Sequence, residues 1–315
     1  MTQWNNSVIM EFMLLGISHR TELKLLFFLI FLSIYIFILF GNILVILATL
    51  CDPILCTPMY FFLRNLAFLD ICYTTVTIPK MLTNLLMEKT TISFVGCSIQ
   101  MYFFLFLGTA ACYTLAVMSY DRYVAICNPF HYTAIMTKRI CILLVSGCWV
   151  TGMSVSLGQT VLIFSMPFCN SSVINHFFCD VLPVMKLICA ESYMNEEVEV
   201  ILMSVLIIFI PFTLISVSYI HIIAAIIRIP SVYGRYKAVN TCSSHLTSVF
   251  LFYGSAMFMY LRPKSNWQPD LDKLLSLLYT VVPAMLNPIV YSLSNQQVKR
   301  ALRKVLGRNT ISQNT

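Results

Sequence analysis

Seven long apolar runs are spaced along the chain, at residues 25–50, 58–82, 96–126, 140–164, 198–227, 238–261 and 271–293, with short polar stretches between them. Each holds the roughly 20 apolar residues needed to cross a bilayer as a helix. The pattern predicts an all-α membrane protein, a seven-transmembrane helix bundle. It divides the chain into an N-terminal segment at 1–24, the bundle at 25–293 and a tail at 294–315, leaving no room for a separate soluble domain. In the tail, "QQVKRALRKVLGR" puts Val298, Leu302, Val305 and Leu306 on one helical face and bases on the other. That predicts a short amphipathic C-terminal helix lying on an anionic inner leaflet.

Composition agrees with the pattern. The 315 residues are 59% hydrophobic and 10% charged, with a mean hydropathy of +0.82, whereas soluble domains carry about 25% charge. Residues 1–24 lack the apolar core and cleavage site of a removable signal peptide, so the first span is expected to serve as an uncleaved signal anchor. Of the net charge of +7, the tail's five bases contribute the largest share, and they read as adhesion to membrane lipid, not to nucleic acid. With the N-terminus outside, 11 bases face the cytoplasm against 8 outside, the direction of the positive-inside rule. Arg20 and Lys24 oppose this locally, and the tail outweighs them. The sequons at Asn5 and Asn170 fall on the outer side in this orientation.

The 12 cysteines sort by side. Cys97, Cys169, Cys179 and Cys189 lie in outer segments, where disulfides persist. Four cysteines allow three pairings, and at least one bridge must tie the long loop after the fourth span to the third span. The others read as small buried hydrophobes. Cys242 and His245 stand three apart on a helix, but two ligands make an incomplete metal site, and no metal or cofactor is expected.

Polar groups inside spans are costly and mark function. Asn42, Asp70, Asn287 and Tyr291 fall in spans one, two and seven. The cluster of Asn42, Asp70 and Asn287 is read as a switch between two helix packings, because Pro283 and Pro288 free backbone carbonyls beside it. Asp121 and Arg122, in "MSYDRYVAIC", end the third span at its cytoplasmic side. Acid and base there can pair or separate, a bistable element of the kind signalling uses.

These residues together carry a resemblance. "GN" at Gly41, "TPMYFFLRNLAFLD" at 57–70, "PKML" at 79–82, "MSYDRYVAIC", "KAVNTCSSHL" at 237–246, "FYG" at 252–254 and "PAMLNPIVYSLSN" at 283–295 occur in the order found in rhodopsin-like G-protein-coupled receptors. Specifically, the chain resembles the odorant receptors. The resemblance implies bridges from Cys97 to Cys179 and from Cys169 to Cys189. It also implies that Asp121, Arg122 and Tyr123 and the inner ends of spans three, five and six receive a stimulatory G protein that raises cyclic AMP. Tyr219, Asn287, Pro288 and Tyr291 would complete the activation switch. The protein would then sit in the plasma membrane with its N-terminus outside, in the cilia of olfactory sensory neurons. Two departures stand out: Cys56 replaces the usual His before "TPMY", and Ala111 replaces a Glu, which leaves Asp70 without an expected partner for binding sodium.

Under this resemblance a small volatile odorant binds between the outer halves of spans three, five, six and seven. The inward faces offer Phe104, Leu105, Gly108, Thr109 and Cys112, then Met203, Ser204 and Ile207. Spans six and seven add Tyr253, Ala256, Met257, Tyr260, Leu277 and Thr280. Tyr253 is assigned to relaying occupancy, and His176 and Phe177 either cap the pocket or pack within the loop. No carboxylate lies on that stretch of span three, so a cationic transmitter finds no counter-ion. The alternatives are a receptor for a non-odorant ligand and a transporter, which would need inverted repeats or charges along a pore. An enzyme is not expected, because the intramembrane residues offer no Ser/His/Asp arrangement or metal triad and the five histidines lie far apart along the chain.

Overall fold

The computed structural model of the protein describes residues 10–16, 21–169, 172–189, 205–260, 269–294 and 296–305. Among them, seven long helices form the bundle: α1 (Thr21–Cys51), α2 (Pro58–Leu86), α3 (Phe94–Cys127), α4 (Lys138–Ser165), α5 (Ile210–Arg228), α6 (Val232–Tyr260) and α7 (Pro269–Ser294). The short α8 (Gln296–Val305) follows. Asn5, Asn170, Met203 and Ser204, and the side chain of Tyr260, lie outside the described residues.

Six of the long helices are apolar and long enough to cross a membrane by composition alone; α6 is the more polar one. Its 29 residues extend about 43 Å at 1.5 Å per residue, beyond a hydrocarbon core of about 30 Å. Its first turns, "VYGRYKAVN", therefore reach past the bilayer. The apolar run starts at residue 238 because hydropathy falls where a helix meets water, whereas its backbone bonds continue.

Local chemistry starts the helices. Thr57 precedes Pro58 at the first position of α2, where the missing N–H costs nothing. Ser93 caps α3 by accepting from Gly96 N at 3.0 Å, and Thr137 caps α4. Packing then sets the order. In its most apolar window α3 is 72% buried and α1 only 11%, so α3 is the central helix and α1 a lipid-facing one. It packs on α2, α4 and α5, while α6 packs mainly on α7. Two glycines permit close approach: a Cβ on Gly41 would meet the Pro288 ring at 3.2 Å, and one on Gly152 would meet the Phe106 carbonyl at 2.8 Å.

One end carries a three-stranded sheet. β1 (Glu11–Leu14) lies in the middle, antiparallel to β2 (Thr91–Ser93) and parallel to β3 (Val173–Ile174). Phe12 and Leu14 point inward and are fully buried, Phe12 among the rings of Phe94 and Phe168. At the opposite end, the Arg122 end, α8 packs along α1. Val298 and Ala301 are buried there, Lys299, Arg300 and Arg303 face outward, and Tyr60 donates to Gln297 Oε1 at 2.9 Å.

Candidate functional site

Between α3, α4, α5, α6 and α7 lies a cavity of about 80 Å³. From α3 it is walled by Phe104, Leu105, Gly108, Thr109 and Cys112, from α6 by Phe252 and Ala256, and from α7 by Tyr279. α2 contributes Tyr73, whose ring stacks on Phe104 at 4.9 Å. α4 contributes Gln159. Ile207 and Ile208 line it side by side from a five-residue π turn, Val205–Phe209, that leads into α5. The wider turn lets two neighbours share one face. No charged side chain belongs to this wall among the described residues.

The sheet-end loop closes the cavity. Disulfides join Cys97 to Cys179 and Cys169 to Cys189, so α3 holds the loop directly above the cavity. The next residue after Cys179, Asp180, caps the one-turn helix Val181–Met185 by accepting from Val181 N, which sets Val181 and Leu182 into the wall. Three further bonds fix this lid. Tyr279 donates to Asp180 Oδ2 at 2.9 Å, and Cys179 N donates to Gln100 Oε1 at 3.1 Å. His176 meets Ser276 at 3.0 Å. His176 Nδ1 accepts from Phe178 N, so its Nε2 carries the proton and donates to Ser276. Burial, with Lys273 and Lys186 adding repulsion, pushes the His176 pKa down to about 3 and keeps the ring neutral. His176 and Phe177 are thus part of the lid's packing, while Val181 and Leu182 touch the cavity.

Four residues expected on the wall stand apart from it. Tyr253 is turned away and donates to the Cys112 carbonyl at 3.0 Å, tying α6 to α3. Thr280 spends its hydroxyl on Ser276 O in its own helix. Met257 and Leu277 pack against the main core. The residues not anticipated, Tyr73, Gln159, Val181, Leu182, Ile208, Phe252 and Tyr279, come from α2, α4, the lid and the neighbouring turns of α5, α6 and α7.

Below the cavity a chain of polar contacts runs toward the Arg122 end. Asn287 donates to Asp70 Oδ2 at 2.8 Å, and Asn42 donates to Ala284 O at 3.1 Å, joining α1 to α7. His245 Nε2 lies 3.1 Å from Leu115 O, which can only accept, so Nδ1 accepts the Tyr219 hydroxyl at 2.7 Å. With both ring nitrogens engaged, His245 is unavailable to a metal shared with Cys242. Among the described residues no cluster of three metal-ligating side chains occurs. At the end itself Arg122 pairs with Asp121, whose other oxygen accepts from Tyr132 at 2.8 Å. Asp121 is fully buried. Tyr123 lies beside His221, ring to ring at 5.7 Å.

Comparison with known proteins accounts for this arrangement. The olfactory receptor family matches residues 31–309. Human olfactory receptor 10A2 is 53% identical over 291 residues, covering 92% of this chain and 96% of the relative. Human olfactory receptor 10A5 is 53% identical over 301 residues, with 95% of each chain covered. Mouse olfactory receptor 5AR1 is 45% identical over 311 residues, covering 98% of this chain and 99% of its own. A lidded, uncharged cavity above a buried Asp–Arg pair, within a seven-helix membrane bundle, therefore belongs to a receptor and not to an enzyme: the chain is a member of the olfactory receptor family.

Proposed function

We propose that the protein binds small, mostly apolar volatile molecules in the lidded cavity and, once occupied, activates a stimulatory G protein that raises cyclic AMP. It would do so from the plasma membrane of olfactory cilia, with the N-terminus and sheet outside and the Arg122 end in the cytoplasm. The observation that carries the reading is the cavity's wall: mostly apolar and aromatic, without charge among the described residues, and covered on one side by the lid residues Val181 and Leu182. Burying a ligand's carbon skeleton there yields about 0.8 kcal/mol per methylene, enough for weak and tolerant recognition.

The geometry supports a route for the signal. An enclosed volume of about 80 Å³ is smaller than the roughly 150 Å³ apolar cavity that accepts benzene, so an odorant must push its walls apart. The walls that yield are Phe252 and Ala256 on α6, because α6 is tied to α3 through Tyr253 and through His245. Shifting α6 breaks those two bonds and displaces His245, the partner of Tyr219. Arg122 is then released from Asp121 to meet a partner, while Asn287, Pro288 and Tyr291 accommodate the change along α7.

The test is cyclic AMP in cells that express the protein with an olfactory-type stimulatory G protein, challenged with a broad volatile panel. Some volatiles are expected to raise cyclic AMP, and Arg122→Ala is expected to abolish the response while reaching the surface normally. A surface-expressed receptor silent to every volatile, or an Arg122→Ala variant that signals like the wild type, would sink the reading.

A further inference from the structure

The cavity wall carries two polar atoms whose hydrogen-bonding capacity the protein leaves unused. Thr109 and Gln159 are 1% and 3% exposed, and both line the cavity. Neither Thr109 Oγ1 nor Gln159 Oε1 has a partner. Buried polar groups are rarely left so, and two other hydroxyls in the region are bonded within their own helices. Thr114 bonds to Ala110 O at 2.7 Å in its own helix, and Thr280 does the same with Ser276 O. Ser156 and Thr160 on α4 are also unpartnered but lie outside the cavity wall.

The two atoms differ in what they accept. Gln159 Oε1 can only accept a hydrogen bond, whereas the Thr109 hydroxyl can also donate one. They stand on antiparallel helices. Gly152 of α4 crosses α3 at Phe106 and Ala110, level with Thr109, and Gln159 is seven residues further along α4, about 10 Å toward the sheet end at 1.5 Å per residue. Side chains lean toward the N-terminus of their own helix. Thr109 therefore leans toward the sheet end and Gln159 away from it, and both line the same cavity.

We propose that this cavity selects neutral alcohols and phenols, the ligand's O–H donating to Gln159 Oε1 while its oxygen accepts from Thr109 Oγ1. The inference rests on the receptor reading above and names the ligand class. One hydroxyl satisfies both atoms. An aldehyde or an ether offers only an acceptor, serves Thr109 and leaves Gln159 Oε1 buried and unpaired; a hydrocarbon serves neither. Carboxylates and ammonium ions are refused because the wall has no opposite charge. Asp180, the nearest acid in the lid, is already held by Tyr279 and by Val181 N.

Matched sets of cyclic and aromatic alcohols, their methyl ethers, their aldehydes and their parent hydrocarbons are applied to cells expressing the full chain, with cyclic AMP and surface labelling as readouts. Alcohols are expected to act at concentrations at least about tenfold lower than their ethers and aldehydes. Gln159→Met and Thr109→Val should each shrink that gap, whereas Thr109→Ser, which keeps the hydroxyl, should preserve it. Ethers or aldehydes as potent as alcohols, or a gap that neither substitution changes, would overturn the assignment while leaving the receptor reading intact. Silence of the surface-expressed protein to these compounds and to every other volatile would overturn both.

Discussion

The sheet end and the Arg122 end both bury polar groups, but they satisfy them in opposite ways. At the sheet end the partners come from distant parts of the chain: the loop is bridged to α3 through Cys97, bonded to α7 through Asp180 and His176, and bonded to α3 again through Gln100. At the Arg122 end the buried carboxylate of Asp121 is served by its own neighbour, Arg122, and by Tyr132 in the following connection. The first arrangement welds several helices into a fixed roof. The second satisfies the buried acid within α3 and the connection that follows it. Under the proposed function, strain from an occupied cavity would pass toward the second end.

The comparison breaks most severely at the bridge. Cys97→Ser releases a closed loop of 82 residues, which by loop-closure entropy costs about 4 kcal/mol. Loss of surface expression and of a cooperative thermal transition is the expected outcome; a variant that reached the surface with an unchanged melting temperature would show that the roof is not welded. Acid should loosen the same roof more gently. His176 has its pKa lowered from 6.5 to about 3, so the unfolded chain binds the proton more readily than the folded one. Its contribution is complete above about pH 6.5 and shrinks as pH falls, by about 1.4 kcal/mol per unit. The melting temperature of the solubilised receptor should drop between pH 7.5 and 5.5, and His176→Gln should flatten that drop. Smallest of all, Tyr132→Phe removes one hydrogen bond to Asp121, worth about 1 kcal/mol. If the Arg122 end is the movable one, basal cyclic AMP should rise severalfold while the melting temperature barely changes; unchanged basal signalling would count against it.

The spans were legible because lipid demands continuous apolar runs, and α8 because its polar and apolar faces separate cleanly. The sheet was not. "EFML", "TIS" and "VI" are too short to show alternation, and their pairing depends on contacts between remote segments. In the cavity, the α3 residues from Phe104 to Cys112 follow a helical face that the charge-free stretch makes readable. Tyr73 and Gln159 were missed for the opposite reason: α2 and α4 scatter their polar residues around the helix and show no clear apolar face, so periodicity does not say which side turns inward. Thr280 stands apart from the wall because a hydroxyl on the expected face bonds within its own helix. Val181 and Leu182 owe their position to the disulfide at Cys179 and to the cap at Asp180, which no local pattern announces.

The position of β1 has a consequence for how the molecule is made. Its residue Leu14 pairs with Ile174, a partner that emerges from the ribosome roughly 160 residues later, or about 8 to 30 s at ordinary elongation rates. Until then Phe12 and Leu14 have nowhere to hide. The first strand synthesised therefore cannot complete its sheet until the chain through α4 and β3 has been made.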